Sequence, residues 1–545
     1  MCGIIGSTEH KIDRVLLNEI HHRGPDSNGL YDDENISLGH VRLSILDVKN
    51  GNQPMISHDG KVVLIFNGEI YNYKELKEDL PGIKFETNSD TEVLIKYYEK
   101  FGIEKTLESI NGMFSFCIYD KRASNKLYLV RDRLGIKPLF YSLHNKNISF
   151  CSEISPLKDL IGLENLTIDP VAVSMFFNTY YISAPNTIWN EIRSLEPGHY
   201  ISFEEDKHQI NRYWSLKPQD RNNNDLEHLE NLLRSAVSLR MRSDVPYGAY
   251  LSGGVDSSMV VKHMSEYTSN PKTFTAEIID KELNEKEYAD LVAKQYDTDH
   301  TTIKIKYPEI KLSFLRKLVS YFGQPFADSS IIPTYWISKE IAKNVVVALG
   351  GDGSDEVFCG YNKYNDKEKD IPSRFFRNLD NSFLSEEYRK DTFKHMLSHL
   401  PYETQDKNEI LRLLDIRFFL EGDILQKVDR MSMASSLEVR VPFLDHRIVE
   451  YSNTLTKDLM FGNIRKKPVK KLLEKYFSKD FVHRSKIGFM LNFDGWTDAY
   501  DDYIMNSKAM TSGFFNKKFD IKKISSGYLK FAMLVFILWY EEHYV

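Results

Sequence analysis

Between residues 36 and 154 apolar and polar positions alternate over short stretches, ISLGHVRLSIL, KVVLIFNGEIYNY, GMFSFCIYD, KLYLVRDRLGIKPLFYS and ISFCSEI, each closed by turn-forming residues. A period of two marks strands that bury one face, so residues 1 to about 205 read as mostly strand in a sandwich-like layering. One stretch departs from it. SDTEVLIKYYEKF at 89–101 joins a Ser or Asp cap and acidic first-turn residues to helical apolar spacing, which predicts a helix with Asp90 projecting from the loop at its start.

Between 204 and 228 the chain turns polar, with EEDKHQ and DRNNNDLEH flanking WSLKP, and the boundary is placed there. Two domains follow, 2–205 and 225–545. In the second, YGAYLSGG runs into helical VDSSMVVKHMSEY, KTFTAEI follows, and NVVVALGGDG runs into SDEVFCGY. Buried strands that end in glycine loops and continue as helices predict a doubly wound α/β sheet with ligands at the carboxyl ends of its strands. Residues 405–545 read as largely helical, and the Lys- and Asn-rich 362–381 reads as a solvated surface loop. FAMLVFILWY at 531–540 is about half of what a bilayer needs and reads as a buried C-terminal helix.

Composition narrows the function classes. Of 545 residues 42% are apolar, 27% charged and 12% aromatic, and the formal net charge is −7. This is a globular balance without the cationic footprint of nucleic-acid binding, and it favours small-molecule work. The four cysteines, Cys2, Cys117, Cys151 and Cys359, lack metal-ligand spacing and are too few for a disulfide framework. The N-terminus has no basic stretch followed by an apolar one, so a secretory signal is not expected and the cytoplasm is the default.

Cys2 is the first chemical candidate. Removal of Met1 would leave a thiol and a free α-amine on one residue, a nucleophile beside its own base. The loop AYLSGGVDSS at 249–258 is the second. It lacks the lysine and the spacing of GxxxxGK[ST], yet Gly253 and Gly254 allow close approach of phosphates, Ser252, Ser257 and Ser258 add hydroxyls, and a helix N-terminus follows. An acidic residue inside such a loop, Asp256, calls for a cation, and Mg²⁺ fits.

The set HHRGPDSNG (21–29), LGHVRLSILD (38–47), GNQPM (51–55), FNGEIYNY (66–73) and NSDTEV (88–93), together with Cys2, resembles the class II glutamine amidotransferases over nearly all of residues 1–205. Singly, Arg42 could be a surface arginine, Asn67-Gly68 a hairpin turn and Asp90 a helix cap. The resemblance implies that Arg42 grips the glutamine carboxylate, that Asp90 and Glu69 hold its ammonium, and that the Asn67 amide and Gly68 N–H form the oxyanion hole for attack by Cys2.

Over its whole length the chain resembles the glutamine-hydrolysing asparagine synthetases, with further support in QPFADSSIIPTY (324–335), VDRMSMASSLEVRVPFLDHR (428–447), RKKPVKKLL (465–473) and RSKIGF (484–489). The implied fold is an N-terminal nucleophile-type αββα sandwich followed by an adenine-nucleotide α-hydrolase-like doubly wound parallel sheet with a helical C-terminal part. The implied chemistry is ATP-dependent adenylation of the aspartate β-carboxylate, loss of pyrophosphate, and attack by ammonia tunnelled from the glutaminase. Leu251 and Ala276 would wall the adenine, Gly350 and Gly351 would join the nucleotide loop, and Asp355 would be the second magnesium carboxylate. Lys466 matches the transition-state lysine, with Lys467 one residue away. Asp352 stands where some asparagine synthetases have glutamate, which opens a rival acceptor such as a sugar uronate or another metabolite. A noncatalytic scaffold would show erosion at Cys2, Arg42, Asp90, Asp256 or Asp355, and a β-lactam-forming relative would lack Cys2. The partners expected are glutamine, aspartate or another carboxylate, and ATP, with no nucleic acid and no membrane, and a homodimer is left open.

Overall fold

In the computed structural model residues 2–122, 124–278, 285–305, 310–366, 368–484, 493 and 495–544 are described. The alternating stretches of the first half form two antiparallel sheets of six strands. One runs in the order Arg193–Ser194, Phe140–His144, Asn147–Cys151, Gly3–Ser7, Ser37–Arg42, Ser27–Asp32. The other runs Lys207–Arg212, His199–Glu204, Lys126–Arg131, Gly112–Asp120, Val62–Ile70, Met55–Ile56. Alternation decides which side chains meet. Ile4, Leu38 and Phe150 of the first sheet pack against Val63, Ile65, Cys117 and Leu129 of the second. Their neighbours on the outer faces pack on helices: Leu64, Phe66 and Phe116 on Val93, Leu94, Tyr97 and Tyr98, and Ile5, Val41 and Cys151 on the side of Leu17 and Leu157. The result is helix, sheet, sheet, helix, as the resemblance implies.

The predicted helix spans Asp90–Ser109 and is interrupted at Gly102, where φ is 76°. Ser89 is its cap, its side chain accepting from the Glu92 N–H. Asp90 is therefore the first helical residue and not a loop residue, because the shorter serine takes the capping position.

The second half contains a five-stranded parallel sheet in the order Asp299–Ile305, Lys272–Ile278, Tyr247–Tyr250, Val347–Leu349, Glu438–Arg440. Tyr247–Tyr250 comes first in the chain yet lies in the middle, with later strands added on both sides. The order reverses at this strand, and ligand crevices of doubly wound sheets open at such a point. The loops that leave Tyr247–Tyr250 and Val347–Leu349 are the two glycine loops singled out above.

The helical tail is present and holds one irregularity, an eleven-residue π-helix at Asp415–Leu425 within a longer helical run. The C-terminal helix Gly527–His543 is buried, and among the described residues no helix is long and apolar enough to cross a membrane. Its Trp539 lies 5.6 Å from Trp189 and its Phe536 lies 5.3 Å from Phe177, centroid to centroid. The apolar core thus continues across the polar linker at 213–225, since the helix Pro170–Thr179 buries its side chains against the second half. The stretch 362–381 is not only a solvated loop, because Tyr364 and Phe375 are buried and Lys363 forms an ion pair with the buried Asp415.

Candidate active sites

Gly3–Ser7 and Val62–Ile70 set the first site. Cys2 precedes the former and is buried. Its N–H donates to Asn67 Oδ1 at 3.1 Å, its sulfur stands 4.0 Å from the Leu43 carbonyl, and its own carbonyl accepts from Arg23 Nε at 3.1 Å. Burial pushes the thiol up from its ordinary value, so the thiolate has to be generated with the help of a base. With Oδ1 of Asn67 turned to Cys2, its Nδ2 has among the described residues only a 3.4 Å contact with Ser115 Oγ, which leaves this donor for an oxyanion. Gly68 follows at φ 152°, where a Cβ would come within 2.0 Å of the Met113 carbonyl, so no side chain fits there.

Arg42 ends Ser37–Arg42, and its guanidinium sits in the loop that follows. Nη2 donates to the carbonyls of Leu46 and Asp47 at 3.0 and 2.8 Å, and Nη1 to the Val48 carbonyl and Asn52 Oδ1 at 3.1 and 3.2 Å. A Cβ on Gly51 would lie 2.4 Å from Nη2, which is why this segment has glycine there. The acceptors fix the fork, and among the described residues no carboxylate forms an ion pair with it. Asp90 Oδ2 accepts from the Ile70 N–H at 2.8 Å, and burial raises its carboxyl to about 6. Burial also pushes Glu69 well above the usual carboxylate range, opposed by Arg440, whose Nη2 lies 3.1 Å away.

At the second site the loop 251–254 connects Tyr247–Tyr250 to the helix Val255–Met264. Leu251 is buried and donates its N–H to the Phe274 carbonyl at 2.8 Å, while Ala276 is half-buried on the adjacent strand. The loop is closed on itself: Ser257 Oγ lies 3.2 Å from Ser252 Oγ, and the Gly254 N–H donates to Ser252 Oγ at 3.2 Å. Gly253 has φ 68°, and a Cβ there would meet the Tyr288 backbone at 2.5 Å. Ser258 Oγ is buried and has no hydrogen-bond partner among the described residues. A Cβ on Gly351 would come within 2.7 Å of Asp256 Cβ, a direct measure of how closely the two glycine loops meet.

Asp256 and Asp355 are joined by Lys466, whose Nζ lies 2.7 Å from Asp256 Oδ2 and 2.6 Å from Asp355 Oδ1. Lys467 turns away to Asp458, so the lysine that reaches the loops is Lys466. The structure also tests whether these carboxylates fit a divalent cation. They face one cationic atom from two sides, and Asp256 Oδ1 is buried with no hydrogen-bond partner among the described residues. Two carboxylates converging on one point suit Mg²⁺, which keeps waters and takes substrate phosphates. Among the described residues no group of three or more acidic, His or Cys side chains could hold a metal.

Asp352 lies in the same loop, with Oδ2 2.6 Å from where a Gly350 Cβ would stand. Beside it is an ion cluster to which sequence reading gave no role. Lys427 lies 2.8 Å from Asp328 Oδ2 and 3.8 Å from Asp423 Oδ1. Burial, the largest single influence on the Lys427 ammonium, works against its charge, but Asp328, Asp423 and Asp352 outweigh it and hold the group above the usual lysine range. Asp328 and Lys427 fall in or beside segments quoted above, and a charge in an otherwise apolar run was the available signal.

Two further arginines tie the halves together. Arg23, in HHRGP, is fully buried and donates to Asp429 at 2.8 and 3.1 Å and to Glu153 at 3.0 Å, besides holding the Cys2 carbonyl. Arg440, on the last strand of the parallel sheet, pairs with Glu438 at 2.6 Å and reaches Glu69, while its own carbonyl accepts from the Gly350 N–H at 2.8 Å. One residue therefore touches Glu69 with its side chain and the second glycine loop with its backbone. Met1 and residues 485–489 of RSKIGF lie outside the described residues.

Residues 1–214 match the family described as Glutamine amidotransferase domain, and residues 228–524 match Asparagine synthase. Asparagine synthetase [glutamine-hydrolyzing] 1 of Bacillus subtilis (strain 168) is 30% identical, over 99% of this chain and 96% of its own. Putative asparagine synthetase [glutamine-hydrolyzing] 2 of Methanocaldococcus jannaschii is 37% identical over 66% of this chain and 76% of its own. Asparagine synthetase [glutamine-hydrolyzing] 3 of Bacillus subtilis (strain 168) is 29% identical over 89% and 86%.

Proposed function

The chain belongs to the glutamine-hydrolysing asparagine synthetase family, and on that premise we propose how its residues divide the work of glutamine-dependent amide ligation. It is a carbon–nitrogen ligase that draws its ammonia from glutamine. Arg42 receives the glutamine carboxylate on a guanidinium already fixed by four acceptors, and a planar fork suits that partner. Asp90 and Glu69 receive the ammonium, whose arrival draws both carboxyls towards ionisation. The amine freed on loss of Met1 is the nitrogen that Asn67 Oδ1 holds, and it takes the Cys2 proton as the sulfur attacks. Asn67 Nδ2 and the Gly68 N–H meet the oxyanion. Ammonia leaves, and water releases glutamate from the thioester.

At the second site ATP lies on the loop 251–254, its adenine against Leu251 and Ala276. Gly253, Gly254, Gly350 and Gly351 let phosphates approach the backbone, and Ser252, Ser257 and Ser258 donate to them. Mg²⁺ held by Asp256 and Asp355 would neutralise the charge developing on pyrophosphate. Lys466 places its ammonium on the departing phosphates. Asp352 stands where the incoming nitrogen loses its proton. The acceptor is aspartate, whose β-carboxylate is adenylated and then amidated. The cluster of Lys427, Asp328 and Asp423 offers charges of both signs beside Asp352, which suits a zwitterionic amino acid better than a uronate.

The observation that carries the reading is Arg440, which joins Glu69 of the glutaminase to the Gly350 loop of the synthetase and gives ammonia production and use a shared wall. Purified protein with glutamine, Mg-ATP and candidate acids tests it: AMP formation that depends on aspartate is expected, and AMP formation indifferent to aspartate but raised by a uronate supports the rival acceptor. The setting proposed is the cytoplasm, with a homodimer checked by light scattering.

A further inference from the structure

Lys466 is placed where a cation belongs before any ligand arrives. Its ammonium is 2.7 Å from Asp256 and 2.6 Å from Asp355, and its side chain is 7% exposed. The surroundings hold it there. Its backbone adopts a left-handed conformation, φ 54° and ψ 34°, directly before the helix Lys467–Leu473, an arrangement that a non-glycine residue keeps only where its surroundings enforce it. Gly360 is required beside it, since a Cβ there would lie 1.8 Å from Asp355 Oδ1 and 2.8 Å from Lys466 Cε. Lys470 is near enough to feel both Lys466 and the two carboxylates, so the pocket is not short of positive charge.

We propose that Lys466 is a placeholder cation that keeps divalent metal out of the Asp256–Asp355 pair until a nucleotide triphosphate arrives. This rests on the reading of Asp256 and Asp355 as metal carboxylates. A metal ion bonded to those oxygens and an ammonium within hydrogen-bond reach of both exclude each other by size and by charge. Metal alone would force Lys466 off its two partners and leave a buried ammonium unpaired, which is costly. A triphosphate removes that obstacle, because it gives Lys466 another anion and brings oxygen ligands for the metal. Metal and nucleotide binding are then positively coupled, and by reciprocity each raises the affinity of the other. The same lysine passes from the carboxylates to the phosphates it serves in catalysis, so the site is armed by substrate and not by free metal.

The test is Mn²⁺ binding, read by electron paramagnetic resonance, to the full chain with and without a non-hydrolysable ATP analogue cleavage-blocked between the α- and β-phosphates. Wild type should bind Mn²⁺ weakly alone and at least about tenfold more tightly with the analogue, a coupling of ordinary size. Lys466→Met should bind Mn²⁺ without nucleotide at least about tenfold more tightly than wild type does. Lys466→Arg, which keeps the charge, should exclude it as wild type does. Adding Asp256→Asn to Lys466→Met should abolish the gain, which places the ion at this pair, and melting curves establish that each variant is folded. Equal Mn²⁺ affinity in wild type and folded Lys466→Met without nucleotide overturns the proposal but leaves the metal carboxylates standing. Absence of Mn²⁺ binding even with the analogue overturns both.

Discussion

Replacing Asn67 with alanine removes two things at once. The Nδ2 donor is lost from a fully buried position in which Ser115 Oγ, at 3.4 Å, is its one hydrogen-bond contact among the described residues, and the Oδ1 acceptor of the Cys2 nitrogen is lost with it. A preorganised oxyanion donor is worth about 3 to 4 kcal/mol, or about a hundredfold to a thousandfold in kcat. The hydrogen bond to Cys2 adds about 1 kcal/mol of positioning. Asn67→Ala should therefore lower kcat for glutamine hydrolysis by about a thousandfold, with KM for glutamine nearly unchanged because Arg42, Glu69 and Asp90 are untouched. Asn67→Asp keeps the acceptor but not the donor and should be at least as impaired. Ser115→Ala, which loses only the long contact, should change kcat less than about threefold. The assay couples glutamate release to a dehydrogenase, and ammonia-dependent asparagine synthesis is measured beside it. A kcat for Asn67→Ala within tenfold of wild type, or a parallel fall in the ammonia-dependent rate, would refute the oxyanion assignment.

Asp256→Ala should abolish AMP formation while glutamine hydrolysis survives, and normal AMP release would remove Asp256 from the ATP site. Arg440→Met takes the cation from Glu69 and Glu438 and two donors from the carbonyls of Arg240 and Arg242. Breaking such a buried pair costs about 3 to 5 kcal/mol, so the urea midpoint should fall and both half-reactions should weaken together; loss confined to one half would deny Arg440 its linking role. Burial raises Asp90 from its ordinary 3.8 to about 6, so the folded state holds this proton more tightly than the unfolded chain does. Its stabilising effect is present below pH 3.8 and is lost as the pH rises through about 6, a swing of about 3 kcal/mol. On the proposed role, in which ionised Asp90 binds the ammonium, KM for glutamine should rise as pH falls below about 6, and Asp90→Asn should lack that inflection.

What could be read from the sequence is what lies close together in the chain. The strand-rich, sandwich-like layering of the first half followed from alternation visible residue by residue, its αββα order came with the resemblance, and the glycine loop at 249–258 carries its strand, turn and helix in ten positions. Distant pairs were out of reach. Arg23 and Asp429 are 406 positions apart, and no local pattern links them; Arg440 reads as one residue of VRVPFLD until the fold sets it against Glu69. In a run of basic residues only the resemblance favours Lys466 over Lys467, and the turn of one helix start is what separates them, one to the carboxylates and the other to Asp458. The stretch 204–228 reads as a polar linker, yet its residues Lys207–Arg212 form an edge strand of the first half's second sheet, and the packing of Phe177 and Trp189 on the last helix was out of reach as well, because a side chain that is apolar gives no sign of which core it enters. Asp90 was displaced from loop to helix by one residue, where Ser89 and Asp90 are both good caps and only the backbone decides.

The most direct test of the central claim, that Cys2 supplies ammonia to an acyl adenylate made in the other half of the chain, uses glutamine labelled with ¹⁵N at its amide, Mg-ATP, aspartate and unlabelled ammonium in the medium. The label should pass to the amide of asparagine with one AMP per asparagine, and Cys2→Ala should make only unlabelled asparagine from the medium at a rate close to the wild-type ammonia-dependent rate. Dilution of the label to the isotopic composition of the medium, or equal loss of glutamine-dependent and ammonia-dependent synthesis in Cys2→Ala, would contradict it.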